Sequence, residues 1–181
     1  MNKLIAVVGM AGSGKSIATD YLEKNNWKKI YFGGVTYRLM EEQGIERTED
    51  GESEKKFREE LRKKYGKECY AKILEPEIRE ALEKQDVVLD GLYSWYEYTF
   101  LKEKFDNIKL ICIVTDKELR YERISKRVDR PFKRDDAITR DLSEIENLYK
   151  GGPIAYADYY ILNNGTIDDY YNRLEEILKE I

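Results

Sequence analysis

Lys15 and Ser16 close the stretch "GMAGSGKS" (9–16), in which Gly9, Ala11, Gly12, Ser13 and Gly14 leave almost no side-chain bulk. The spacing, Gly with four residues before Gly-Lys-Ser, predicts a concave ring of backbone N–H groups, because glycine tolerates the left-handed conformations such a ring needs. A ring of this kind cradles phosphate. Lys15 is then placed to reach the β- and γ-phosphates of a nucleotide, and Ser16 to ligate magnesium. From Ile17 onward the residues have helical spacing, and a helix starting near Gly14 adds unpaired N–H groups and its positive dipole end. Ahead of the loop, "KLIAVV" (3–8) is a short apolar run of the kind that forms a parallel strand buried on both faces. Strand, glycine loop and helix in that order is the context the motif requires.

A magnesium ion on such phosphates needs a further protein oxygen. Asp90, which ends the apolar run "VVLD", is the best candidate, since ligands gather at the carboxyl ends of strands in open parallel sheets. An Asp before Gly91 also suits a plain turn. Moving a phosphoryl group calls for positive charge around it. Arg120, Arg123 and Arg127 lie three and four residues apart and share a helix face. Arg130 and Arg134 flank "PF", and Arg140 follows. Arginines on a closing lid over 120–140 supply charge and exclude water, with Arg123, Arg127 and Arg140 as the candidate catalytic members and Arg123 also against the nucleotide. The competing reading is a solvated face paired with Glu118, Glu122, Asp129, Asp135 and Asp136. Tyr37, Tyr93, Trp95 and Tyr96 offer rings for stacking on a base, or simply pack between helices.

Composition narrows the field. The chain has 181 residues, interspersed charges and a net charge of −4, which argues against a bulk nucleic-acid binder. It contains no histidine, so histidine-dependent triads and histidine-ligated zinc are excluded. Cys69 and Cys112 are far apart, and Cys112 in "KLICIV" reads as an inert core thiol. No signal-peptide layout and no run of membrane-spanning length is present, which predicts a reduced cytoplasmic setting. The guanine-reading NKxD sequence of GTPases is absent. A small phosphotransferase remains.

Strands are predicted at 3–8, 27–32, 86–91, 108–115 and 158–163. Helices are predicted at 14–25, 52–65, 67–84, 97–105, 116–127, 136–149 and 167–181. Residues 33–44 read as a turn and a short helix, 128–136 as a loop, and "GGP" (151–153) as a break. This alternation predicts a single α/β domain over 1–181, a parallel sheet with helices on both faces. The stretch 33–84 is longer than a crossover needs and is expected to be a helical acceptor-binding excursion.

The motifs "GMAGSGKS", "VVLDGLYSWYEYTFLKEKF", "RYERISKR", "RDLSEI" and "IAYADYYILNNG" together resemble the P-loop nucleoside monophosphate kinase and dephospho-CoA kinase superfamily. The likeness is to its adenylate-kinase-related branch, common in archaea, and runs nearly end to end. It implies a P-loop NTPase fold, three-layer α/β/α with a five-stranded parallel sheet, ATP and Mg2+ as cofactors, and a small-molecule acceptor held near 33–65. By position it implies that Arg38 meets the acceptor phosphate with help from Arg62, and that Asn163, Asn164 and Gly165 lie near the adenine. Arg140 with Asp141 matches a second arginine cluster, and Tyr37, Gly91 and Tyr93 fall on the acceptor side. One departure stands out. Dephospho-CoA kinases carry an aspartate just after the second strand, whereas this chain has Gly33-Gly34. A hydroxyl acceptor needs a base and an ionised phosphate does not, so the expectation tilts toward a phosphorylated, nucleotide-like acceptor. Asp90 acting as base on a sugar hydroxyl, and an ATP-binding regulatory protein with little turnover, stay open as alternatives.

Overall fold

The computed structural model describes residues 2–48, 51–127 and 133–181. Five strands form one parallel sheet among these residues: β1 (Leu4–Val8), β2 (Lys28–Tyr31), β3 (Val87–Asp90), β4 (Ile108–Val114) and β5 (Tyr159–Leu162). Their spatial order is β2-β3-β1-β4-β5. The helices are α1 (Lys15–Lys24), α2 (Phe32–Glu42), α3 (Glu52–Tyr65), α4 (Cys69–Lys84), α5 (Trp95–Lys104), α6 (Lys117–Ser125), α7 (Arg134–Glu146), α8 (Gly151–Ala155) and α9 (Ile167–Glu180). This is the expected α/β architecture. Among the described residues no helix is long and apolar enough to cross a membrane.

β1 is wholly buried because both of its faces are covered. Leu4, Ala6 and Val8 join Val87, Leu89, Leu110 and Cys112 on one face, packed against Phe32, Met40, Phe57, Leu74 and Ile78 of α2, α3 and α4. The helices of 33–84 therefore share a core with the sheet. On the other face Ile5, Val7, Val88, Ile111 and Ile161 meet Ala18 and Leu22 of α1 and Tyr170, Leu174 and Ile177 of α9. Burial pushes the Cys112 thiol up to about 11, so it stays protonated at neutral pH.

Register decides what gathers at the carboxyl end of the sheet. Val7 lies beside Asp90 and Ile111, and Tyr31 lies beside Asp90 on its other flank. The loop after Val8, the carboxylate of Asp90 and the end of β2 are thereby neighbours.

The structure corrects four local expectations. α2 begins directly at Phe32, with Gly33 and Gly34 inside its first turn rather than in a turn of their own. Paired glycines are costly in a helix, but Gly33 has a packing reason. A Cβ there would lie 2.3 Å from the Tyr31 ring, which folds back over it. Residues 151–153 do not break the chain; they open α8. Pro153 sits in the first turn, where a helix has no N–H bond to lose. α5 starts at Trp95, two residues early, because Ser94 and Glu97 form a reciprocal capping box. The predicted loop 128–136 lies partly outside the described residues, and its last three residues already belong to α7.

Candidate active site

The loop between β1 and α1 turns through positive φ at Gly9, Gly12 and Gly14. At Gly14 a Cβ would lie 2.3 Å from Asn163 Nδ2, and at Gly12 2.7 Å from the Arg120 carbonyl. Both positions thus need glycine for conformation and for space. Gly14 is the N-cap of α1 and supplies no side-chain acceptor, so no capping side chain satisfies the first-turn N–H groups. Ser13 Oγ is buried without a hydrogen-bond partner among the described residues. Uncapped donors and an orphan hydroxyl fit a loop that takes its acceptors from a phosphate-bearing ligand.

Lys15 Nζ donates to the carbonyls of Gly9 (2.8 Å) and Met10 (3.0 Å). Desolvation, and then the charge of Lys150, bring its pKa down to about 7. Ser16 is exposed on the first turn of α1, and Ile17 packs toward the face shared with α9. Thr19, one turn further along α1, places its hydroxyl 3.4 Å from Asp90 Oδ2. Desolvation holds the Asp90 carboxyl above the usual carboxylate range, while Lys29 and Lys15 pull it back down. Lys29 Nζ stands 3.8 Å from Asp90, with Asp20 at 2.5 Å and Glu23 at 3.7 Å. Glu23, Lys29, Tyr31 and Asp90 line a cavity of about 360 Å3.

Contacts to its carbonyls fix the loop from behind. The Ser13 carbonyl accepts from Asn163 Nδ2 (2.8 Å) and Thr115 Oγ1 (3.0 Å). The Gly14 carbonyl accepts from the Tyr170 hydroxyl at 3.1 Å. Arg120 donates to the Ala11 carbonyl at 2.9 Å and to both carboxylate oxygens of Asp141, at 3.1 and 2.5 Å. Arg120 and Asp141 are both buried. Arg120 therefore ties the loop to α7.

The remaining expected site residues are distributed as follows. Asn163 lies beneath the loop, Asn164 Oδ1 accepts from the Asp116 N–H at 3.0 Å, and Gly165 sits at the entry to α9. Arg123 reaches Thr115 Oγ1 at 3.4 Å, behind the loop. Partial desolvation and then the charge of Arg140 lower the pKa of Arg127. Arg140 pairs with Glu144 at 3.1 Å. Arg134 pairs with Glu118 at the surface, and Arg130 lies outside the described residues. Arg38 is 3.6 Å from Glu77, Arg62 stacks over Tyr70, and Tyr37 carries Arg47 over its ring. These three make their contacts within the stretch 33–84, Arg47 lying in the segment after α2. Gly91 turns at φ 87° and brings Tyr93 beside the Tyr31 ring. Glu97 holds this turn by accepting from the N–H groups of Tyr93 and Ser94. Trp95 packs with Tyr98 and Tyr156, and Tyr96 with Tyr149, so both face α8.

Four residues escaped the sequence reading. Thr19 and Lys29 flank Asp90, and their only signal was spacing along α1 and β2. Lys150 is 1% exposed, pairs with Glu144 at 2.6 Å and stands 4.8 Å over the Tyr93 ring. Glu144 lies within "RDLSEI" but was given no role there, Lys150 belongs to no motif, and the two meet only because α7 and the start of α8 fold together.

The chain matches the AAA domain model over residues 5–147. It is 33% identical to a UPF0200 protein of Sulfurisphaera tokodaii, an alignment covering 99% of this chain and 97% of the relative. Its fold is that of a dephospho-CoA kinase from Campylobacter jejuni, with a TM-score of 0.59, 20% identity, and 99% and 97% of the two chains covered. A shikimate kinase from Bacteroides thetaiotaomicron has the same fold, with a TM-score of 0.57, 15% identity and 99% of each chain covered. With its glycine loop, parallel sheet and full-length similarity, the chain belongs to the UPF0200 family.

Proposed function

We propose that this protein is an ATP- and magnesium-dependent small-molecule kinase that transfers the γ-phosphoryl group to a nucleotide-like acceptor. The observation that carries this reading is the register of β1 and β3, which sets Asp90 beside the strand feeding the phosphate loop. Gly9, Ala11, Gly12, Ser13 and Gly14 supply the backbone cradle, and Lys15 neutralises the terminal phosphates. Ser16 and Asp90 are the residues that would hold magnesium, an ion that when bound to the phosphates draws off their negative charge. Arg123, Arg127 and Arg140 add positive charge beside the transferred group. Tyr31, Gly91 and Tyr93 border the acceptor side, with Arg38, Arg62 and Tyr37 further out on α2 and α3. The shared fold of two named kinases is in keeping with this chemistry. We further propose that residues 1–181 act as one domain within the cytoplasm.

The absence of a side-chain base at 33–34 supports a phosphorylated acceptor: the Tyr31 ring leaves no room for a side chain at Gly33, and Gly34 carries none although a Cβ there would meet only ordinary contact. The raised Asp90 pKa favours a second reading, a hydroxyl acceptor with Asp90 as base. The test is ADP release from MgATP with AMP, CMP, UMP, GMP, dTMP and dephospho-CoA in turn. One monophosphate is expected to stimulate release. Stimulation by dephospho-CoA alone would favour the second reading. ATP binding with no stimulation by any of them would overturn the kinase proposal and favour a regulatory protein.

Asp90→Asn sorts the two roles of Asp90. As a metal ligand, its loss should raise the magnesium concentration needed for half-maximal rate. As a base, it should lower kcat with the magnesium requirement unchanged. The stability sign is separate. A carboxyl whose folded pKa is raised disfavours the folded state once ionised, and stability grows as pH falls through that pKa. The asparagine variant is therefore expected to melt no lower than the parent at pH 7, checked by thermal unfolding.

A further inference from the structure

Lys150 and Glu144 form a buried ion pair that the reading above does not use. Asp141 faces the phosphate loop through Arg120, and Glu144, one turn on, shares that inward face of α7. Glu144 holds Lys150 Nζ at 2.6 Å and Arg140 at 3.1 Å. On its other side the Lys150 ammonium stands over Tyr93, two residues after Gly91 at the end of β3. Its charge is the strongest acting on Lys15. Lys15 thus feels the positive charges of both Lys150 and Arg140, and Glu144 pairs with each of those two. Burying a lysine costs several kcal/mol, and here it adds to the crowding of positive charge around Lys15 rather than relieving it. A buried ammonium that repels Lys15 beside the loop suits an anionic ligand there.

We propose that Lys150 is a second lysine of the phosphoryl-transfer site, with Glu144 the positioning residue that aims its ammonium. This rests on the kinase reading above. In the step it serves, the bond from the γ-phosphorus to the bridging oxygen breaks with its electron pair leaving on ADP. An ionised acceptor oxygen forms the new bond. Lys150 moves no proton; it donates hydrogen bonds to the oxygens of the migrating group, sharing its three N–H donors between Glu144 and that group.

The test is the affinity for MgATP relative to MgADP in the parent, Lys150→Met, Glu144→Gln and the double variant, each checked by thermal unfolding. A charge-assisted bond to the γ-phosphate is expected to make Lys150→Met lose about 10-fold or more in MgATP affinity beyond any loss for MgADP. The double variant removes both buried charges, and it carries the test if Lys150→Met alone does not fold. If Lys150 touches the phosphoryl group, the double variant keeps the lowered ATP-to-ADP preference. A return to the parent's preference would make Lys150 a mere counterion of Glu144 and overturn the inference. A parent that binds neither nucleotide would instead overturn the kinase reading itself.

Discussion

Lys15→Ala is expected to lower ATP-dependent phosphoryl transfer by about 10²–10³-fold, the loss seen when one preorganised transition-state donor is removed. The rate of ADP release in the presence of the stimulating acceptor measures it. The pH dependence makes the expectation sharper. With a folded pKa of about 7 against an ordinary 10.5, Lys15 is largely uncharged at pH 8. Bound phosphates favour the ammonium, so nucleotide binding at pH 8 should draw a proton from the buffer, and affinity should fall between pH 7 and pH 9. Calorimetry in buffers of different ionisation enthalpy reads the uptake, which should vanish in Lys15→Ala. Stability runs the other way. Between about pH 7 and 10.5 the unfolded chain holds a proton on Lys15 that the folded protein does not, so stability rises with pH there. No proton uptake by the parent would mean that Lys15 already carries its charge.

Arg120→Met is expected to destabilise the protein by about 3–5 kcal/mol, because it strands the buried carboxylate of Asp141. Among the described residues, the Tyr121 hydroxyl at 3.1 Å would be the side-chain donor left to it. For a chain of this size the midpoint of thermal unfolding should drop by about 10 °C. Arg120→Met combined with Asp141→Leu should recover most of that stability, since an apolar pair of similar volume replaces both charges. Recovery of stability without recovery of nucleotide affinity would isolate the contact from Arg120 to the Ala11 carbonyl as what holds the loop in shape. A single variant that melts like the parent would mean the fork contributes nothing net.

Arg120 also illustrates how far local pattern reaches. Its helix face was readable from the spacing of 120 and 123, although Arg127, expected on the same face, falls beyond the end of α6, and that spacing is silent on which arginine turns inward. Packing of α6 on α7 buried Arg120 as a strut and left Arg134 at the surface with Glu118. Asn163 is a similar case: a residue near the last strand end became a support beneath Gly14.

The phosphate loop, the alternation of strands and helices, and Asp90 at a strand end were readable from residue types in order. Each depends on short-range physics: glycine conformations, apolar periodicity and the direction in which a strand ends. The partners of Asp90, the ring of Tyr31 over Gly33, and the convergence of Lys150, Glu144 and Arg140 beside Lys15 were not readable. They join residues as much as 135 positions apart (15 to 150), and sequence-distant charges meet only where strand order and helix packing bring them. Local order in the chain thus specified a glycine loop between a buried strand and a helix, while long-range packing set which charges surround that loop.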